Sequence, residues 1–182
     1  HVWGHLNEEQ QVGVGITMDN LSYDSQNMKN YTSLEANPYY AYDGDNWKLR
    51  LGVHVDWQSA NGSGVDIAPD VKVDYVFSDS YVIYAQALGG RELNDFRRLN
   101  ELSPYWGQKE QLRSTYTLAD MQLGFKASPV TGLGLKVFGG YRITDDEVFT
   151  CYPFPDFACA LPWMMQDKAK VGYGGARLEY GY

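Results

Sequence analysis

No run of apolar residues approaches the roughly 18 that a membrane helix needs, so a helical membrane protein is excluded. Cysteine is nearly absent: of 182 residues only Cys151 and Cys159 carry thiols. Three histidines are present and none lies near that pair, which leaves little basis for a metal site. Basic residues are also short, with 15 Lys and Arg against 23 Asp and Glu for a net charge of −8. A nucleic-acid partner is therefore set aside, because neutralising phosphates takes clustered Lys and Arg. The chain starts without an initiator Met or an apolar leader; it is either a mature exported chain or a piece of something longer. Nothing marks a cofactor.

What is abundant is aromatic and small: 15% aromatic residues, 15 of them Tyr, with 19 Gly. Length suits one domain, 1–182, or a small closed barrel. The mean hydropathy of −0.43 does not argue against a membrane barrel, because such barrels alternate lipid-facing with lumen-facing side chains.

The stretch Trp47 to Gln58, WKLRLGVHVDWQ, separates its faces completely. Trp47, Leu49, Leu51, Val53, Val55 and Trp57 share one parity; Lys48, Arg50, Gly52, His54, Asp56 and Gln58 share the other. Tryptophan at each end of the apolar face is how a strand crossing a bilayer places its amphipathic rings, and about 9–11 residues suffice for a tilted span.

The same alternation recurs along the chain. It predicts strands over Val12–Met18, Leu34–Tyr42, Asp70–Phe77, Tyr81–Leu88, Thr115–Ala127, Leu133–Ile143 and Ala169–Tyr182, about eight in all with the first described. Pro38 weakens the second of these, since proline cannot donate to a central ladder. A parity switch at Gly174-Gly175 suggests a β-bulge. Asp43-Gly44-Asp45-Asn46 and Ser78-Asp79-Ser80 read as tight turns. Connections alternate long and short, with long loops at about 89–114 and 144–167. Tight turns on one rim and long loops on the other are the pattern of outer-membrane barrels, and this ordering puts both chain ends on the short-turn side.

Strand-turn-strand pairs such as NPYYAYDGDNWKLRLGVHVDW, and the run GGRELNDFRRLNELSPYW, resemble the barrel region of TonB-dependent-receptor-like outer-membrane proteins from about Val12 onward. The resemblance implies an all-β, antiparallel up-and-down transmembrane barrel in the bacterial outer membrane. Such receptors carry an N-terminal plug within a barrel of about 22 strands, so this chain would be a segment of a larger barrel or a reduced relative. The C-terminal assembly signal of outer-membrane proteins is matched by Tyr182 and Tyr180, but Arg177 stands where glycine is expected.

The polar parity collects Glu35, Lys48, Arg50, His54, Asp56, Lys72, Asp74, Asp120, Lys126, Lys136 and Arg142 as the expected lumen network. In a narrow lumen these pair structurally; in a wider one they line a watery passage. His54 with Asp56 invites a general-base reading, but no G-x-S-x-G accompanies them, and the chain reads as a non-enzyme. In the first long loop, Phe96, Leu99, Leu102, Tyr105 and Trp106 near Arg91, Arg97 and Arg98 suit a short amphipathic helix. Arg97, Arg98, Tyr105 and Trp106 are the candidates there for binding a small molecule or protein; loop self-packing is the alternative. Cys151 and Cys159, in CYPFPDFAC, suit a local disulfide in an oxidising compartment, with free thiols as the alternative. Asn30-Tyr31-Thr32 and Asn61-Gly62-Ser63 fit the N-glycosylation pattern, coincidentally if the chain is bacterial.

Three classes follow: a barrel for uptake or transport, of receptor or channel type; a non-transporting barrel whose loops bind a partner or support the envelope; and, less favoured, a soluble ligand-binding barrel or an outer-membrane hydrolase. For the first two, membrane lipid and lipopolysaccharide are the expected surroundings.

Overall fold

A computed structural model describes residues 1–24, 29–59, 64–78, 80–105, 112–151 and 163–181. The elements are β1 (Val2–His5), β2 (Gln10–Leu21), β3 (Tyr31–Asp43), β4 (Trp47–Gln58), β5 (Gly64–Ser78), β6 (Tyr81–Glu92), α1 (Phe96–Leu102), β7 (Thr115–Val130), β8 (Leu133–Cys151) and β9 (Trp163–Tyr180). Every strand pairs antiparallel with its neighbour in sequence, giving one nine-stranded up-and-down sheet in the order β1 to β9. The sheet is open. With nine alternating strands, β1 and β9 run in the same direction, so an antiparallel seam cannot join them.

Register follows from the side-chain pattern. Leu49 faces Val73 and Leu51 faces Val71 across β4 and β5; Ala85 faces Leu123 and Ala87 faces Met121 across β6 and β7; Phe125 faces Val137 across β7 and β8. A one-residue slip would turn each of these apolar rows onto the charged face. Among the described residues no other element covers the apolar face, and Ile16, Met18, Leu51, Ile67, Leu123 and Leu178 are all exposed on it. Near the short turns it ends in contacting rings: Trp47 tilted against Tyr75 at 4.5 Å, and Phe77 stacked with Tyr81 at 5.6 Å and with Phe125 at 6.3 Å between centroids. An aromatic girdle bordering an uncovered apolar band is the surface a bilayer-spanning sheet presents. No helix among the described residues is long and apolar enough to cross a membrane.

Several expectations are corrected. The lead-in contains a strand, β1, which pairs Val2 with Val14 and His5 with Gln11. The chain therefore starts partway up the sheet, and only its end reaches the short-turn rim, where Gly181 N–H donates to the Gly132 carbonyl at 2.8 Å. No bulge occurs at Gly174-Gly175: register runs unbroken through Gly139–Gly174 and Phe138–Gly175, and the slip lies between Thr144 and Glu147. Ala169, Val171 and Tyr173 thus lie on the polar face with Arg142, and Ala176, Leu178 and Tyr180 on the apolar one. Strand pairing also enters both spans read as long loops, because β6 runs to Glu92, β8 to Cys151 and β9 starts at Trp163. Beyond the bilayer a strand has no lipid face to keep apolar, so its alternation fades while its hydrogen bonds persist. Pro38 does sit inside β3, and the β3–β4 pairing is interrupted there, between Ala36–Val55 and Tyr39–Gly52, before resuming in the same register.

Above the sheet, Leu99 of α1 is buried with Leu112 and Met164, and Val148 packs against them. This small apolar core joins α1 to the extended ends of β8 and β9. Asp95 caps the helix, accepting from Arg98 N–H at 2.8 Å.

Candidate functional site

The polar face carries a connected network rooted in β3, β4 and β5. Glu35 Oε1 lies 2.8 Å from His54 Nδ1, and His54 Nε2 lies 3.1 Å from Asn37 Nδ2. Asn37 donates on to Asp70 Oδ2 at 3.3 Å; Arg50 Nε donates to the same oxygen at 2.8 Å and its terminal nitrogen to Asn37 Oδ1 at 3.2 Å. The Arg50 guanidinium lies over the Tyr39 ring at 3.9 Å. Period-two alternation places all six residues on one face, and cross-strand register brings them together.

His54 is therefore oriented by Glu35 and not by Asp56. Both ring nitrogens are engaged, Nδ1 with Glu35 and Nε2 with Asn37, so His54 bridges β3 and β4 within the network. Asp56 stands directly between Glu35 and Asp66 in register. It is 2% exposed, with the Tyr116 hydroxyl as its neighbouring donor.

A second group surrounds Arg91. Above Asp70 the pairing of β5 with β6 stops, and Arg91 bridges the opening by donating to Gln58 and Asp66. Ser114 donates to the same Gln58 oxygen at 3.0 Å. A third group joins Asp120 to Arg142 at 3.4 Å and to the Tyr173 hydroxyl. Nearer the turns, Lys126 and Lys136 lie over the face of Tyr84 at 4.8 and 5.4 Å. Tyr84 itself is pressed flat against Gly124, where a Cβ would come within 2.3 Å of its ring. Lys48 pairs with Asp43 at the rim at 2.8 Å, while Lys72 faces Arg50 and Gln86 in register and Asp74 faces Lys48 and Tyr84.

Alternation thus identified the face but not the partners. Asn37, Tyr39, Asp66, Asp70 and Tyr84 share the parity of the predicted residues and could have been added from it; Arg91 and Tyr173 could not, the first being read as loop and the second on the opposite face.

The loop candidates diverge. Arg98 turns inward, pairing with Glu92 at 2.7 Å and donating to Asn94 and to Thr115 Oγ1, so it builds the loop. Arg97 pairs with Glu101 of the same helix at 3.3 Å, and Phe96, Leu102 and Tyr105 are exposed. Trp106 lies outside the described residues. Tyr23, from the β2–β3 connection, meets the Phe96 backbone and Tyr31; burial and then the Asp95 carboxylate hold its phenol above the ordinary value. The disulfide is not supported: Cys151 carries a free thiol, which at the last β8–β9 pair turns to the Trp163 carbonyl at 3.5 Å. Cys159 lies outside the described residues, as do Asn61-Gly62-Ser63 and Tyr182.

A cavity of about 380 Å³ opens on the polar face between these groups, lined by Glu35, His54, Leu88, Gly89, Gly90, Arg91, Thr117 and Asp120. Register shifts in β6 between Leu88 and Gly90 and in β7 between Thr117 and Ala119 fall at its level. Gly90 has φ +138°, and a Cβ on Gly89 would meet the Thr117 carbonyl at 2.6 Å; only glycine fits either position. Among the described residues no three His, Cys, Asp or Glu converge as metal ligands would.

No protein-family model matches the chain, and no curated protein matches it in sequence. Solved structures do match in fold. The copper transporter OprC is similar over 97% of this chain and 33% of its own, at 13% identity and a TM-score of 0.66. The FrpB iron transporter from Neisseria meningitidis, F3-3 variant, is similar over 98% of this chain and 34% of its own, at 12% identity and a TM-score of 0.55. The chain spans about one third of the length of these neighbours. The resemblance to the barrel region of TonB-dependent-receptor-like outer-membrane proteins thus extends from sequence pattern to fold: an all-β, antiparallel up-and-down sheet similar to part of these two structures.

Proposed function

We propose that the chain forms part of a bacterial outer-membrane β-barrel that takes up or passes a solute along its polar face, without enzymatic chemistry. The observation that carries this reading is the separation of faces across the whole sheet: an apolar belt outside, lying against lipid and lipopolysaccharide, and an array of charged and polar side chains inside. A soluble sheet would bury that belt, and a purely structural barrel has no need of a cavity between its lumen charges. The fold likeness to two metal transporters supports transport as the class; the solute is not carried over from them. The open sheet and the one-third coverage favour a segment of a larger barrel.

The test is to refold the chain with and without detergent, follow heat-dependent gel mobility, and record conductance across a planar bilayer. Detergent-dependent folding is the expected result, with solute passage only when the sheet is closed by the remainder of the barrel. Monomeric folding in plain buffer would sink the membrane reading.

A second reading rests on α1. Its exposed Phe96 and Leu102 beside Arg97 suit a non-transporting barrel that binds a partner at the long-loop rim. Full bilayer insertion with no conductance, together with partner capture lost on Phe96→Ala, would favour it.

A further inference from the structure

We infer that the polar face between Lys126, Lys136 and Arg177, near the short turns, binds the phosphate group of a small solute. The inference gives a substrate class to the transport reading and rests on it for its role, while the site itself stands on geometry. Two adjacent cross-strand rows build it. In one, Tyr84 faces Gly124, Gly124 faces Phe138 and Phe138 faces Gly175. A Cβ would come within 2.3 Å of the Tyr84 ring at Gly124 and within 2.9 Å of the Phe138 ring at Gly175, so each ring is seated where a side chain is missing. In the other row, nearer the turns, Lys126 faces Lys136 and Lys136 faces Arg177. Lys126 lies over Tyr84 at 4.8 Å, and Lys136 over Tyr84 at 5.4 Å and over Phe138 at 5.3 Å. The glycines seat the rings, and the rings fix the ammonium groups.

Like charges directly opposite each other repel, so three cations in one row are unfavourable until an anion is shared among them. A cavity of about 220 Å³ opens beside the row, lined by Lys126, Lys136, Arg177 and Glu179 together with Ser128 and Gly134. Its one carboxylate, Glu179, is paired with Arg177. Among the described residues no carboxylate pairs with either lysine; Asp74, which faces Tyr84 from β5, has Lys48 on its other side, and Asp120 is held by Arg142. An independent observation points the same way. Tyr84 is 5% exposed, and its hydroxyl has no hydrogen-bond partner, although it belongs to the ring over which both ammonium groups lie. The unmet requirement is an acceptor with negative charge, placed to take N–H from two lysines and O–H from a tyrosine. A phosphate group brings three strong acceptor oxygens and more than one negative charge, where a carboxylate brings two oxygens and one charge. Because the row lies on the polar face, the phosphate comes from a solute and not from a lipid head group.

The probe is inorganic phosphate at neutral pH, titrated calorimetrically into the full chain refolded in a neutral detergent. Potassium chloride at matched ionic strength is the control, and the Tyr84 ring resonances are followed in parallel. Phosphate should bind and shift Tyr84, and chloride should do neither. Lys126→Gln and Lys136→Gln should each weaken phosphate about tenfold. Tyr84→Phe, which keeps the ring and removes the hydroxyl, should weaken it about threefold to tenfold. Folding of all three is checked by circular dichroism and heat-modifiable mobility, so that misfolding of one leaves the others to decide. An equal response to chloride, an unmoved Tyr84 resonance, or unchanged affinity in a folded variant would each overturn the assignment. Dihexanoyl phosphatidic acid carries the same group on acyl tails and should bind no tighter than phosphate; tighter binding would give the site to lipid and overturn the solute assignment. The site and the transport reading fail separately. Monomeric folding in plain buffer removes transport while phosphate binding still decides the site, and absent phosphate binding removes the site while detergent-dependent folding still supports the membrane barrel.

Discussion

Tyr84 and Gly124 show how single residues set the polar face. The missing side chain at Gly124 lets the ring lie against the sheet, and the exposed ring face then receives Lys126 and Lys136, an arrangement in which cation–π attraction takes the place of a carboxylate. Gly124→Ala should displace the ring and cost about 1–3 kcal/mol, read as a lower urea midpoint in micelles. Combining it with Tyr84→Ala should cost less than the sum of the two single changes; simple additivity would show that the ring does not rest on the glycine. Asp70 is the other pivotal residue, because it accepts from both Arg50 and Asn37. Asp70→Asn leaves a half-buried guanidinium short of its counter-charge, and a loss of about 1–3 kcal/mol is expected. An unmoved midpoint would mean that Asn37 and Tyr39 suffice to hold Arg50. The parity of Tyr84 and Asp70 was readable from alternation. Their partners were not, because a partner depends on cross-strand register, which no single strand contains.

At the scale of elements, α1 is held by one buried side chain. Leu99 is 2% exposed against Leu112 and Met164, so Leu99→Ala should remove about 2–4 kcal/mol of local stability. Amide hydrogen exchange should show this as faster exchange over residues 96–103 with the β4–β7 strands unchanged; uniform acceleration would mean that α1 is not a separate unit. Phe96, Leu99 and Leu102 gave the sequence signal for a helix here. The β8–β9 extension gave none, since it lies where apolar alternation is no longer enforced. Besides the apolar contacts of Val148 and Met164, it is held by Asp146, at φ 54°, which offers its carbonyl to Thr115 Oγ1 and Gln166 Nε2 at 2.9 Å each. Side-chain bonds of this kind, between residues 20 and 31 positions apart, leave no periodic trace.

For the whole molecule the two faces make opposite predictions at adjacent positions. Leu123 is 62% exposed in the middle of the belt, and Leu123→Arg should cost about 2–4 kcal/mol in a bilayer. Gln122→Arg, on the polar face beside Gln86, should fold almost as the parent does. Similar effects of the two on the folded fraction in lipid vesicles would contradict the assignment of faces. For β4 that assignment was determined by sequence alone, because a period of two is a local property and WKLRLGVHVDWQ separates its sides completely, whereas in β9 only the register placed Ala169, Val171 and Tyr173 on the polar face. Only the tertiary structure decided that His54 answers to Glu35, that Arg91 spans the opening between β5 and β6, and that paired register shifts hollow out a cavity. These features arise between strands, from small departures in pairing, and the energy that selects them is shared by residues far apart in the chain.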